Sequence, residues 1–239
     1  MQGKTLHPID ACVFDAYGTL FDFNSAAAIA RDELGEDWQR LSQLWRDKQL
    51  QYTWLRGLAD HYADFWQVTG DALEFALATL RLHRPGLHSR LMKLYLRLDT
   101  FPEVPDTLRR LKEAGLKLAI LSNGSHPMLS AVVRHNGLDD VFDAVLSVDA
   151  VKVFKPHPSV YRLAQTRLAI EPERICFLSA NAWDAYSAKA FGFRVLWCNR
   201  YGQVPERIPA RPDGEIPDLA ALPDCLRPTP PRATGRAGA

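Results

Sequence analysis

The sequence predicts an α/β fold: a Rossmann-like parallel-sheet core with a helical cap inserted after the first strand. Three observations carry this. Short apolar runs that stop at polar residues recur along the chain. Helix-like stretches opening with Pro or Ser and closing at Gly lie between them. Between Phe23 and Leu98 that alternation gives way to helical spacing alone. Strands alternating with helices imply parallel neighbours joined by right-handed crossovers.

The first strand is the apolar run Ala11–Phe14, which stops at Asp15 before a turn holding Gly18 and Thr19. In parallel sheets ligands bind beyond the carboxyl ends of strands, so Asp15 points into that crevice. A carboxylate held there can act as a nucleophile and form an ester; the plainer reading is an Asp that only caps the turn. Next, Leu41, Leu44, Trp45, Leu55, Leu58, Tyr62, Phe65 and Trp66 recur mostly three and four residues apart, the period of a helix face. Further helices follow over about 70–82 and 88–98, and the aromatic stripe reads as packing. Residues 105–114 form a helix stopping at Gly115, and strand 118–121 runs into Ser122, Asn123, Gly124 and Ser125. A helix from near Pro127 stops at Gly137. Strand 144–146 leads, through 147–154, to Lys155 and Pro156. Strand 175–178 runs into Ser179, Ala180 and Asn181, and helix 183–191 closes at Gly192. All four strand ends face one crevice, so Asp15, Ser122, Asn123, Lys155, Ser179, Asn181 and Asp184 converge there. That convergence points to catalysis.

The domain reading follows: residues 1–22 and 98–226 form the core and 23–97 the cap. Residues 227–239, rich in Pro, Thr, Gly and Ala, form a disordered tail. The chain of 239 residues is 47% hydrophobic, enough for a packed core. A net charge of +1 gives no reason to expect nucleic acid or a membrane surface as partner. No apolar signal region and no run near the roughly 20 residues of a membrane span are visible. Cys12, Cys176, Cys198 and Cys225 show no metal spacing and read as reduced thiols of a cytoplasmic protein.

Six pieces of the chain carry a resemblance. They are Phe14-Asp15-Ala16-Tyr17-Gly18-Thr19-Leu20-Phe21-Asp22, Leu44-Trp45-Arg46, Tyr52-Thr53-Trp54-Leu55, Ser122-Asn123-Gly124-Ser125, Lys155-Pro156 and Ser179-Ala180-Asn181-Ala182-Trp183-Asp184. In this order, over about residues 10–202, they resemble the L-2-haloacid dehalogenase branch of the haloacid dehalogenase superfamily. The resemblance implies hydrolysis of short (S)-2-haloalkanoic acids to (R)-2-hydroxy acids and halide. The route is an aspartyl ester on Asp15, without cofactor or metal, in a protein that is often a homodimer. Arg46, Asn123 and Trp183 match the family's halide cradle. Thr19 and Tyr161 match active-site positions: Thr19 could hydrogen-bond Asp15, and Tyr161 could orient Lys155 or line the pocket. Tyr17 falls with the substrate-binding residues.

Residue chemistry agrees with these roles. Ser122 and the N–H groups after Asp15 suit a substrate carboxylate. Lys155 can keep Asp15 ionised and pair with that carboxylate, since a nearby cation favours the charged form of an acid. Asp184 can deprotonate the water that attacks the ester, with Ser179 and Asn181 fixing its position; alternatively it is a helix-start charge paired with Lys155. A superfamily phosphatase is the competing reading, and a non-enzymatic binding protein the third. Phosphatases of the superfamily usually carry a second Asp where this chain has Tyr17, and a magnesium-binding Gly-Asp where it has Ala180-Asn181. A halide leaves as a stable anion and needs neither proton nor metal, whereas phosphoryl transfer calls for both.

Overall fold

The computed structural model describes residues 5–23, 31 and 34–228. Residues 229–239 of the expected tail, and residues 24–30, 32 and 33 of the expected cap, lie outside the described residues. Strand β1 (Leu6–Ile9) pairs with β8 (Leu226–Pro228) in a small parallel sheet of its own. The main sheet has six strands: β2 (Ala11–Phe14), β3 (Lys117–Ser122), β4 (Ala144–Ser147), β5 (Ile175–Ser179), β6 (Arg194–Cys198) and β7 (Gly214–Ile216). Their order is β4-β3-β2-β5-β6-β7, and every pairing is parallel. Four of these are the strands expected from sequence, and the cap follows the first of them. The others add to the expectation: β7 is too short for a period to register, and β1 contains a proline. β8 reaches Pro228, two residues into the segment read as tail.

All four side chains of β2 are buried, as in a central strand covered on both faces. Its register sets Phe14 beside Ile120 of β3 and Leu178 of β5. The Asp15 N–H continues the ladder to the Leu178 carbonyl at 2.9 Å. Asp15, Ser122 and Ser179 therefore leave the sheet side by side, where the order turns from β3 on one flank to β5 on the other. Such a switch point is where the crevice of an open α/β sheet lies.

The cap contributes α1 (Asp37–Leu58), α2 (Phe65–Thr79) and α3 (Leu87–Leu94); the core contributes α4 (Val104–Glu113), α5 (His126–His135), α6 (Pro158–Leu168) and α7 (Ala182–Phe191). Proline opens α4, α5 and α6, and α7 closes at Gly192. The cap departs from the sequence pattern at one break. Asp64 caps α2 by accepting from the Gln67 N–H, so Phe65 and Trp66 open a second helix and Gly70 lies inside it. The stripe was one face in the sequence because N-cap chemistry, worth about 1 kcal/mol, does not alter the spacing of apolar residues. Leu41, Leu73, Leu87 and Leu91 give the cap a hydrophobic cluster of its own.

Two antiparallel segments join cap to core. Phe21 bridges Thr100, the Asp22 N–H donates to the Asp99 carbonyl at 2.8 Å, and the Phe101 N–H donates to the Leu20 carbonyl at 3.1 Å. Arg200 stitches both segments. Its Nη2 donates to the Thr19 carbonyl at 2.8 Å and pairs with Glu103 at 2.6 Å, while its guanidinium stacks 3.7 Å from the Phe101 ring centre.

Candidate active site

Asp15 stands at the end of the central strand, 6% exposed. Its Oδ1 accepts from Lys155 Nζ at 3.0 Å, and its Oδ2 from Asn181 Nδ2 at 2.8 Å. The hydroxyls of Thr19 and Ser179 each reach Oδ2 at 3.4 Å. Gly18, at φ +83°, makes the turn that aims the side chain. The N–H groups of Gly18, Thr19, Leu20 and Phe21 are spent inside that turn on the carbonyls of Phe21 and Ala16. Those four are therefore not available to a substrate carboxylate, which leaves the N–H groups of Ala16 and Tyr17 among the donors expected after Asp15.

Lys155, whose side chain is 1% exposed, also donates to Asp184 Oδ2 at 2.8 Å, so one ammonium stands between two buried carboxylates. Burial alone would lower its pKa, but Asp15 and Asp184 outweigh burial and raise it. The Asp184 carboxyl is pushed up by burial, with Lys155 opposing and Asp15 adding to the rise. The expectation that Ser179 and Asn181 fix Asp184 is corrected here. Ser179 lies beside Asp15 in the strand register, and Asn181, at the N-cap position of α7 but with no side-chain cap bond, turns its amide to Asp15. The second partner of Asp184 is Tyr161, whose hydroxyl donates to Oδ1 at 2.8 Å. Tyr161 thus orients Asp184 rather than Lys155, because α6 brings its ring beneath the start of α7.

From the cap, Arg46 reaches down between its Nη1, which donates to Gln49 Oε1 at 2.7 Å, and its Nη2, which donates to Asn181 Oδ1 at 3.2 Å. A small cavity brings Asp15, Lys155, Ser122 and Asn123 opposite Arg46, walled by Tyr17, Leu50, Phe65 and Trp183. Asn123 Oδ1 accepts from the Lys155 N–H at 2.9 Å, which turns its Nδ2 into the free donor end. Ser122 Oγ accepts from the Gly124 N–H at 3.0 Å and keeps its own proton to give. Tyr17 packs so closely on Gly124 that a Cβ there would stand 2.8 Å from its ring. Trp54 braces Trp183 edge-on at 5.5 Å.

Two buried polar atoms on this cavity have no hydrogen-bond partner, Tyr17 Oη and Trp183 Nε1. A buried donor left unpaired costs about 1–3 kcal/mol, so both are suited to an acceptor brought by a ligand. Burial, then Tyr95 and Asp15, raise the Tyr17 pKa against the pull of Arg46, which keeps the phenol a donor. The sequence reading missed Gln49 and Leu50 and took Phe65 for packing alone. An amide and two apolar side chains on helices look like packing. The spacing of three between Arg46 and Gln49 was the one signal present.

A family model described as haloacid dehalogenase-like hydrolase matches residues 9–192. The chain is 49% identical over 197 residues, 82% of its length and 85% of the relative's, to "(S)-2-haloacid dehalogenase 4A" of Burkholderia cepacia. It is 48% identical over 215 residues, 90% of its length and 93% of the relative's, to "(S)-2-haloacid dehalogenase" of Pseudomonas sp. (strain YL). Among solved structures it is similar to the L-2-haloacid dehalogenase from Xanthobacter autotrophicus with chloropropionic acid covalently bound. The TM-score is 0.84 at 40% identity, covering 90% of this chain and 97% of that one.

Proposed function

The chain belongs to the haloacid dehalogenase-like hydrolase family, and from that premise we propose that it is a hydrolytic (S)-2-haloacid dehalogenase. It converts short (S)-2-haloalkanoic acids to (R)-2-hydroxy acids and halide. The observation that carries this is Asp15 at the floor of a small, apolar-walled cavity with Arg46 above it. An oxygen of Asp15 attacks the carbon bearing the halogen, the C–O bond forms, and the halide leaves with the C–X electron pair; back-side attack inverts the centre. Arg46, Asn123 Nδ2 and Trp183 Nε1 receive the halide, and Ser122, Tyr17 and the remaining N–H of Lys155 hold the substrate carboxylate. Water, giving its proton to Asp184, then attacks Cγ of Asp15 and frees the alcohol with an Asp15 oxygen in it. Preorganised donors suffice for so small a movement of charge.

The donor set does not suit the magnesium ion of phosphatase relatives. At the superfamily's metal position Asn181 offers an amide, and that amide is engaged by Arg46 and Asp15. Hard magnesium favours charged oxygen ligands, and the Lys155 ammonium already stands between the carboxylates of Asp15 and Asp184. Halide release from (S)-2-chloropropionate should therefore persist in excess chelator and not rise with added magnesium. The (R) enantiomer should release none. Magnesium-dependent phosphate release from an aryl phosphate, with no halide release, would overturn the reading in favour of a phosphatase.

Cys12, Cys176 and Cys198 are buried free thiols, which supports a reducing compartment and hence the cytoplasm. No helix among the described residues is long and apolar enough to cross a membrane. A second copy of the chain is the partner that the cap suits. Leu55 and Leu58 on α1 and Phe75 on α2 are 55%, 87% and 39% exposed, apolar side chains that a second copy would cover. Light scattering should report twice the chain mass, and Leu58→Glu should shift it toward one; a monomer in the unsubstituted protein would refute the dimer.

A further inference from the structure

We infer that Gln49 is a positioning residue that holds Arg46 in the inward position from which it receives the leaving halide. This inference rests on the dehalogenase reading. Helix α1 lies between the hydrophobic interior of the cap and the crevice, yet the residues it buries are Leu41, Gln49 and Thr53. A fully buried glutamine is costly unless each polar atom is matched, and here each is. Gln49 Nε2 donates to Thr69 Oγ1 at 2.8 Å and lies 3.3 Å from the Tyr95 hydroxyl. Gln49 Oε1 accepts from Arg46 Nη1 at 2.7 Å and lies 3.4 Å from the same hydroxyl.

The orientation of the amide is not free. The Thr69 hydroxyl gives its only proton to the Phe65 carbonyl at 2.5 Å, so it can meet Gln49 solely as an acceptor. Nε2 must therefore face Thr69, which turns Oε1 toward Arg46. The chain of contacts runs on from Arg46 to Asn181 Oδ1 and from Asn181 Nδ2 to Asp15 Oδ2. A buried amide in the cap is thus linked through one guanidinium to the nucleophile of the core.

Arg46 has somewhere else to go. It lines both the small cavity over Asp15 and a larger neighbouring cleft whose wall includes Asp47 and Glu206. A long, flexible side chain at such a boundary samples solvent unless it is tied. The tie to Gln49 selects the inward geometry, so the donor is in place before the carbon–halogen bond begins to break. Preorganisation of that kind, rather than an added contact with substrate, is what Gln49 supplies.

The test uses the full chain in excess over substrate, so that halide release reports ester formation alone. Chloride leaves less readily than iodide and depends more on assistance. Gln49→Leu should therefore slow chloride release from (S)-2-chloropropionate by up to about 10²-fold, the scale of a misplaced catalytic group. Iodide release from (S)-2-iodopropionate should slow far less. A variant harmed only in folding would lose both rates equally. Thr69→Val, which frees the amide to turn over without removing it, should raise the iodide-to-chloride rate ratio in the same direction, and it decides the matter should Gln49→Leu fail to fold. Unchanged rates, or equal losses for both halides, would overturn the inference. Failure of the dehalogenase reading is distinguishable, because the unsubstituted protein would then release no halide; that result removes this inference as well.

Discussion

Asp15→Asn should abolish turnover while leaving the protein folded. The carboxylate is the atom set that forms the ester, and a neutral amide is a far poorer nucleophile. Removing a nucleophile of this kind costs roughly 10⁴ to 10⁶ in rate. The fold should tolerate the change because Lys155 now stands between two carboxylates, at 3.0 Å from Asp15 and 2.8 Å from Asp184. Asparagine leaves a one-to-one pair of Lys155 with Asp184, so no buried charge is orphaned, and the thermal midpoint should hold or rise. The unsubstituted enzyme gives the complementary result. In one turnover in heavy-oxygen water, the label should enter Asp15 and not the first hydroxy acid, because water attacks Cγ of the ester. Label found directly in the product, with none in Asp15, would mean that water attacks the substrate and that Asp15 is not the nucleophile.

Much of this site is legible along the chain because parallel sheets place strand ends together. Asp15, Ser122 and Ser179 could be set side by side from three apolar runs, and the register of β2 with β3 and β5 does so. What the linear pattern could not give was which polar group serves which. Ser179 and Asn181 precede Asp184 by a few residues, and nearness in sequence suggested they hold it. The turn of the chain into α7 instead points them at Asp15, and Tyr161, more than twenty positions away, takes Asp184. The cap was harder still. Its helices were visible from their spacing, but Leu50 and Phe65 face the crevice, and Gln49 meets Arg46 from inside the cap, through tertiary packing that periodicity does not encode. Edge strands β7 and β8, three residues each, owe their existence to neighbours rather than to local preference.

Asp184→Asn should separate the two half-reactions. Ester formation needs Asp15, the halide donors and Lys155, none of which this substitution removes, so the burst of halide should survive. Hydrolysis needs a base for the attacking water, and its loss should slow turnover by about 10² to 10⁴. An alkyl adduct on Asp15 should then accumulate and appear by mass spectrometry of the mixed protein. Undiminished turnover would remove Asp184 from the mechanism. The pH dependence follows from the environment of the same carboxyl. A base must be ionised to act, so the hydrolytic step is lost as pH falls through the Asp184 pKa. Burial, with Asp15 adding and Lys155 opposing, sets that pKa above the ordinary aspartate value, and the acid limb should therefore lie above the usual aspartate range. No alkaline loss should come from Lys155 below the ordinary lysine range, because the two carboxylates raise its pKa despite its burial. Tyr161→Phe gives the sign an independent check. The Tyr161 hydroxyl donates to the ionised form of Asp184 at 2.8 Å, so its removal disfavours that form and raises the pKa further. The acid limb should move to higher pH, while halide release in a single turnover stays near its original rate. A shift to lower pH, or none, would show that Asp184 does not titrate in this step.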